Sequence, residues 1–199
     1  MERRKSDTER RRRRRTRRIQ VVVIYTAIAV GLAWFFELQA TTTVILVRHA
    51  EKSTLPADNP GLNEAGMARA AELARQLVEA DVVAGVDAIY SSTYRRTEET
   101  VQPIATALGL SITPYDASNT ETIMDDIVRQ HKGKVILVVG HSNTVPELIA
   151  NMGASKNVPE IDENEYDNMY IVSIPWFGKT KTIRVRYGAP YVSASDPTE

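Results

Sequence analysis

Two histidines follow two apolar runs. His49 comes after Thr43-Val44-Ile45-Leu46-Val47-Arg48, and His141 after Val135-Ile136-Leu137-Val138-Val139-Gly140. The chain has only three histidines in 199 residues, so two in matching positions are informative. An apolar run of this kind reads as a buried strand, and in open α/β sheets ligands bind outside the strand C-termini. Arg48 directly precedes the first histidine. A second arginine, Arg96, stands in Ser91-Ser92-Thr93-Tyr94-Arg95-Arg96-Thr97-Glu98-Glu99-Thr100, where a strand passes into a helix. Such a junction presents backbone N–H groups and the positive end of a helix dipole, both favourable to an anion. Guanidinium adds a planar fork that matches phosphate oxygens. If these four side chains converge, their natural ligand is a dianionic phosphoryl group. A neutral imidazole in line with phosphorus is a competent nucleophile. Arginines and a protonated second histidine would hold the charge on the equatorial oxygens. This chemistry calls for no cofactor. No metal site is expected either, since no paired-ligand spacing such as His-x-x-x-His occurs.

The elements that must position these groups alternate beyond Thr41. Val44–Val47 reads as a strand, followed by a proline-containing loop over Leu55–Gly61. Asn63 is a candidate N-cap for a helix over Glu64–Ala80, with Met67, Ala70, Ala71, Ala74, Leu77 and Val78 on one face. Val86–Tyr90 reads as a strand, Tyr94–Leu108 as a helix that Pro103 kinks, and Ser111–Tyr115 as a short strand. A helix over Glu121–His131, stopped by Gly133, precedes the central strand Val135–Val139. Val145–Met152 is a short helix with Pro146 in its first turn. Met169–Ile174 and Thr182–Tyr187 read as a hairpin. This order implies a mostly parallel sheet covered on both faces, with one strand near an edge running antiparallel. Pro190–Glu199 is polar and expected to fray.

The formal charge of zero hides a split. Residues 1–18 hold eleven basic and three acidic residues, a net charge of +8, and the remainder carries −8. Ile19–Phe36 is an uncharged, largely apolar stretch of 18 residues. As a helix it would span roughly 27 Å, close to the roughly 30 Å hydrocarbon core of a bilayer. Trp34, Phe35 and Phe36 resemble an interfacial aromatic belt, and the arginines would stay cytoplasmic. The expected organisation is a basic cytoplasmic tail (1–18), a single transmembrane helix or uncleaved signal-anchor (19–38), an extracytoplasmic catalytic domain (41–189) and a frayed tail (190–199). The competing readings are a signal peptide cut near Ala40, giving a secreted domain, and a buried soluble helix. Lipid headgroups, not nucleic acid, are the simpler partner for the arginine run. Cysteine is absent, so disulfides say nothing of the compartment.

The motifs together resemble the histidine phosphatase superfamily, which includes the phosphoglycerate mutases. Arg48-His49-Ala50-Glu51 resembles its Arg-His-Gly-Glu motif. Ser92-Thr93-Tyr94-Arg95-Arg96-Thr97 and Thr100 resemble its Ser-x-x-x-Arg-(Ala/Thr)-x-x-Thr motif, and Gly140-His141-Ser142-Asn143 its second-histidine motif. The resemblance covers about Thr43 to Tyr187. It implies a three-layer α/β/α sandwich with one antiparallel strand. It also implies that His49 is the phosphorylated nucleophile and that Arg48, Arg96 and His141 form the phosphate pocket. Asn143 is a further candidate substrate contact, and Lys52 is expected either to meet the substrate or to face water. Two departures stand out. The asparagine that many members carry shortly after the first motif corresponds to Leu55 here. The leaving-group acid of the mutase branch has no counterpart, and Asp116, with Glu121 as the other choice, is the expected proton donor.

The remaining candidates have plainer readings. Glu51 is expected to orient the first arginine, Arg95 to be the solvated neighbour of Arg96, and His131 to cap a helix. The acidic run Glu160–Glu165 reads as a solvated loop. The short loops, with no large cap, favour a compact phosphomonoesterase over a mutase. The substrate would be a phosphorylated small molecule or a phosphopeptide. The alternatives are a phosphoprotein or phosphohistidine phosphatase, and a phospho-ligand-binding protein of little activity on the same fold. Oligomeric state is not legible.

Overall fold

The computed structural model describes residues 2–38, 41–80, 85–155 and 157–192. The chain divides into two units, Met1–Ala40 and Thr41–Glu199.

In the first unit a single helix, α1, runs over Glu2–Leu38. Arginine is a good helix former, so the basic stretch and the apolar stretch continue one another without a break. Within α1, Arg12–Phe36 is long and apolar enough to cross a membrane, by length and composition, and none of it is buried. It fits a membrane anchor or a signal sequence.

The second unit is built on a six-stranded sheet. In chain order its elements are β1 (Thr41–Arg48), α2 (Glu64–Glu79), β2 (Ala88–Ser92), α3 (Arg95–Leu108), β3 (Ile112–Tyr115), α4 (Thr120–Gln130), β4 (Val135–Gly140), α5 (Thr144–Asn151), β5 (Asn168–Pro175) and β6 (Lys181–Arg186). The strand order is β3-β2-β4-β1-β5-β6. The first four of these run parallel. β5 is antiparallel to β1 and forms the expected hairpin with β6.

β1 and β4 lie at the centre, and their side chains alternate between two cores, as strands buried on both faces must. Val44, Leu46, Ile136 and Val138 pack with Met124 and Ile127 of α4 and with Val145, Leu148 and Ile149 of α5. Ile45, Val47, Leu137 and Val139 pack with Leu73 and Leu77 of α2 and with Val101 and Ile104 of α3. Each fully buried aliphatic side chain of this kind contributes about 1.5–3 kcal/mol.

Local signals account for the element ends. Asn63 caps α2 by accepting from the Gly66 N–H at 2.9 Å. Gly66 packs so closely on the Glu51 backbone that a Cβ would collide with the Glu51 carbonyl oxygen. Gly109 ends α3 in the left-handed region at φ 65°. Pro103 sits inside α3 without ending it.

Two expectations shift. β2 starts and ends two residues later than the apolar run suggested, because Ser91 and Ser92 pair with Pro114 and Tyr115 and are buried. The residues after Gly188 make two bonds back to the domain, one of them, from Tyr191, inside the tail expected to fray. Ala189 O accepts from Arg69 at 3.0 Å, and the Tyr191 N–H donates to Asp167 Oδ2 at 2.9 Å. Residues 193–199 of the expected frayed tail lie outside the described residues.

Candidate active site

The β1–β4 register sets the site. Arg48 pairs with Gly140, so the next residue on each strand is a histidine. The His49 N–H donates to Gly140 O at 2.9 Å, and the two imidazoles stand 5.3 Å apart, centroid to centroid. Both are buried, at 4% and 9% exposure. α3 and α5 begin beside them, and Ser142, Asn143 and Thr144 at the start of α5 line the same cleft.

The two ring nitrogens of His49 have different surroundings. Nδ1 lies 2.8 Å from Ala50 O, which can only accept. Nδ1 is therefore assigned the proton, and Nε2 keeps its lone pair. Burial, with help from Arg48, His141 and Arg96, pushes the imidazole down to about 3, while the bond to Ala50 works the other way. His49 is thus a neutral imidazole at physiological pH. The strand end behind it is pinned by the Ala50 N–H, which donates to Thr100 Oγ1 at 3.0 Å; Thr100 in turn donates to Arg96 O at 2.7 Å. This explains the threonine four residues after Arg96.

His141 is oriented by hydroxyl groups. Its backbone N–H donates to Thr144 Oγ1 at 2.9 Å. Its Nε2 lies 2.9 Å from Ser92 Oγ, which lies 2.9 Å from Thr97 Oγ1, which donates to Tyr94 O at 2.6 Å. The carbonyl can only accept, so the protons run outward along the chain and His141 Nε2 is assigned the proton. Nδ1 is then bare, 3.5 Å from Arg96 Nη2. Burial, then Arg96, Arg48 and Lys52, push this imidazole down to about 4.

The arginines are clamped from different sides. Arg48 Nη1 donates to Asp162 O at 2.7 Å and Glu165 O at 3.2 Å, and its guanidinium stacks over Tyr166 at 4.2 Å. Arg96 lies over Tyr94 at 4.3 Å. The Nε atoms of both arginines are buried without a partner among the described residues. Unmet buried donors of this kind cost about 1–3 kcal/mol each. The result is a cleft of about 620 Å³ whose floor holds two neutral imidazoles and two cations. Lys52, Asn143, Ser118 and Glu163 also line it. Among the described residues no three His, Cys, Asp or Glu side chains converge as a metal site would require. The donor set is one for an oxyanion.

Most sequence candidates meet here: Arg48, His49, Lys52, Arg96, His141 and Asn143 all line the cleft. Asp116 does not. Its carboxylate is exposed, accepts from the Ser118 N–H at 2.9 Å and the Ser118 hydroxyl at 2.7 Å, and is held below its ordinary value by those bonds. A group held ionised in solvent is the wrong kind of proton donor. Glu51 does not orient Arg48 either. It pairs with Arg69 at 2.8 Å, and Arg69 also donates to Tyr187 O and Ala189 O. The work expected of Glu51 falls to the acidic loop after Asp162, whose backbone carbonyls hold Arg48; its carboxylates had suggested only solvation. Arg95 pairs with Glu99 at 2.6 Å, leaving Arg96 for the cleft. His131 ends α4, and its Nε2 lies 2.8 Å from the Tyr90 hydroxyl, away from the site. The stacking roles of Tyr94 and Tyr166 had no sequence signal beyond the position of Tyr94 beside the second motif.

Two histidines and two arginines at the C-terminal edge of a mostly parallel sheet are the layout of a histidine phosphatase. Residues 44–118 match the family described as the histidine phosphatase superfamily (branch 1), a span that holds Arg48, His49 and Arg96. That match covers well under half of the chain; over this segment the chain is similar to the superfamily, which supports a phosphatase. Solved structures agree in fold. The SixA protein of Nakamurella multipartitia is 20% identical, with 75% of this chain and 98% of that chain covered and a TM-score of 0.56. The SixA protein of Agrobacterium tumefaciens is 24% identical, over 75% and 99%, with a TM-score of 0.55. The protein histidine phosphatase SixA complexed with tungstate is 17% identical, over 72% and 96%, with a TM-score of 0.58. No curated protein matches the chain.

Proposed function

We propose that the chain is a metal-independent phosphomonoesterase that works through a phosphohistidine on His49. The observation that carries this is the assigned tautomer: Nδ1–H is spent on Ala50 O, so Nε2 offers a lone pair inside a cationic cleft. A phosphoryl dianion entering the cleft takes hydrogen bonds from Arg48 and Arg96. Its charge also makes His141 easier to protonate, so that Nδ1 becomes a further donor. His49 Nε2 attacks phosphorus, a P–N bond forms, and the P–O bond to the leaving group breaks. The departing oxygen needs a proton. Among the described residues Glu163 is the one carboxyl group lining the cleft, and we assign it this role in place of Asp116. Water then attacks phosphorus, the P–N bond breaks, and the water proton returns to Glu163. Asn143 and Lys52, on the rim, meet the rest of the substrate.

The two separate cores, one with α2 and α3 and one with α4 and α5, support a three-layer α/β/α arrangement. We further read residues 1–18 as a cytoplasmic tail, 19–38 as a single transmembrane helix and 41–189 as an extracytoplasmic catalytic domain. The support is the charge of +8 directly before an apolar stretch, since arginines hold their end of a span inside. The substrate is a phosphorylated small molecule or a phosphopeptide. The exposed rim of the cleft also favours a second reading, a phosphoprotein or phosphohistidine phosphatase. A catalytically weak phospho-ligand-binding protein is the non-enzymatic alternative.

One experiment separates these readings. Full-length protein is mixed with a generic aryl phosphate and quenched in acid and, in parallel, in alkali. Turnover and an acid-labile, alkali-stable phosphate on the protein are expected, and both vanish in His49→Ala. Near-normal turnover in His49→Ala would end the mechanism, and no turnover at all in the parent chain would leave a binding protein.

A further inference from the structure

The catalytic cleft has a side chamber. A cavity of about 360 Å³ is lined by Ser142, Asn143, Pro146, Val158, Glu160 and Ile161. Ser142, Asn143 and Ile161 line the catalytic cleft as well, so the two spaces meet along these residues. None of the side chains given a part in phosphoryl transfer lines the chamber.

Local chain geometry fixes the chamber against the phosphate pocket. One wall is the start of α5. Asn143 follows His141 by two residues, and Pro146 lies about a turn further on, roughly 4.5 Å along the helix axis. The other wall is Val158-Pro159-Glu160-Ile161. Pro159 has a fixed φ and restricts Val158 to extended backbone, so this segment is stiff. Ile161 is buried in the core that holds Val145 and Leu148 of α5. The next residue, Asp162, supplies the carbonyl oxygen that accepts from Arg48 Nη1 at 2.7 Å. Glu160 thus stands two residues from an atom that holds the phosphate-binding arginine.

The lining has two characters. Pro146, Val158 and Ile161 offer apolar surface, and Glu160 brings an exposed carboxyl group. Among the described residues no lysine or arginine lines the chamber, whereas Arg48, Lys52 and Arg96 all line the cleft. A phosphomonoester bound in the cleft must direct its alcohol part away from that cationic floor. A hydrocarbon stem gains by leaving water against the apolar wall, and a positive charge at its end is drawn to the Glu160 carboxylate. We propose that the chamber is the leaving-group subsite and selects phosphomonoesters whose alcohol carries an ammonium or guanidinium group on an apolar stem. This deepens the phosphatase reading and rests on it. Two sources share the chemistry: a free amino alcohol phosphate, and a basic side chain beside the phosphorylated residue of a peptide. Glu160 is then a specificity-determining residue with no part in phosphoryl transfer.

Full-length protein is assayed with aminohexyl phosphate and with hexyl phosphate, which differ by the terminal ammonium. Its kcat/KM should favour the amine about fivefold, the upper range for an exposed charge pair. The preference should shrink as salt is raised. Glu160→Gln should erase it, and Glu160→Lys should invert it. The ratio of the two esters is the readout, because damage to folding or to phosphoryl transfer lowers both rates alike. Phosphothreonine peptides with lysine or norleucine beside the phosphorylated residue tell the sources apart. A lysine preference that Glu160→Gln erases assigns a peptide substrate. Indifference to that lysine, with the amine preference intact among the small esters, assigns a small one. Turnover of both esters without a preference, or a preference that survives Glu160→Gln, overturns the subsite and leaves the phosphatase reading standing. Turnover of neither ester, nor of an aryl phosphate, overturns the phosphatase reading and the subsite with it.

Discussion

Lowering the pH from 7 to 5 should strip stability from this protein through two residues. His49 and His141 are neutral in the folded state, held down to about 3 and about 4 by burial and by the arginines beside them. In the unfolded chain both take up protons near 6.5. The unfolded state thus binds more protons across this window, and stability falls as the pH falls. The stabilisation is fully present above about 6.5 and is lost between there and the folded values. From pH 7 to 5 each histidine accounts for about 2 kcal/mol. Two account for about 4 kcal/mol, a large part of the roughly 5–15 kcal/mol of a typical domain.

The chain has three histidines, so ¹⁵N-histidine labelling of the full-length protein in detergent gives a spectrum of three imidazoles. Those of His49 and His141 should stay neutral at pH 5. Denaturant midpoints at pH 7 and pH 5 should show the loss, and His141→Asn should shrink the pH dependence by about 2 kcal/mol. Inorganic phosphate should oppose the loss, since a bound anion raises both imidazole values. Titration of either site histidine at its ordinary 6.5 would refute the reasoning, because the burial and the two-arginine field would then not be acting on it.

Other substitutions test separate parts of the argument. Arg96→Lys keeps the charge but loses the planar fork over Tyr94, and turnover of an aryl phosphate should fall about 10²–10³-fold; a loss under tenfold would remove Arg96 from the clamp. Glu51→Gln leaves Arg69 without its charge partner, and denaturant unfolding should show a loss of about 3 kcal/mol; an unchanged midpoint would make the pair dispensable. Gly66→Ala forces a Cβ onto the Glu51 carbonyl oxygen. It should destabilise by about 1–3 kcal/mol and lower activity with it, read by thermal unfolding.

The amino-acid sequence by itself determined a good deal here. The apolar runs, the Asn63 cap and the Gly109 stop are local signals, and the elements they announce form within three residues of their expected places. The arginine run and the apolar stretch after it need no tertiary contact to read as a membrane or export segment. The motif residues were legible because chemistry confines them: a nucleophilic imidazole and a phosphate-binding fork have few substitutes, so Arg48, His49, Arg96 and His141 could be named before any geometry. Partnerships were not legible, because they join residues far apart in the chain. Arg48 is held by carbonyls at positions 162 and 165, and backbone carbonyls carry no side-chain signature. Glu51 stands three residues from Arg48, yet the fold gives it to Arg69. Asp116 has the right side chain in a suitable loop, but the Ser118 turn leaves its carboxylate in solvent, whereas Glu163 is brought into the cleft from an acidic run that looked like simple solvation. The tautomers of both histidines, and with them which nitrogen can attack phosphorus, depend on the Ala50 carbonyl just past β1 and on hydroxyl groups from β2 and α3. Type and spacing told which groups can do the chemistry; only the packing of distant backbone segments decided which atom of each faces the substrate, because hydrogen-bond geometry is set to tenths of an ångström by contacts that local sequence does not encode.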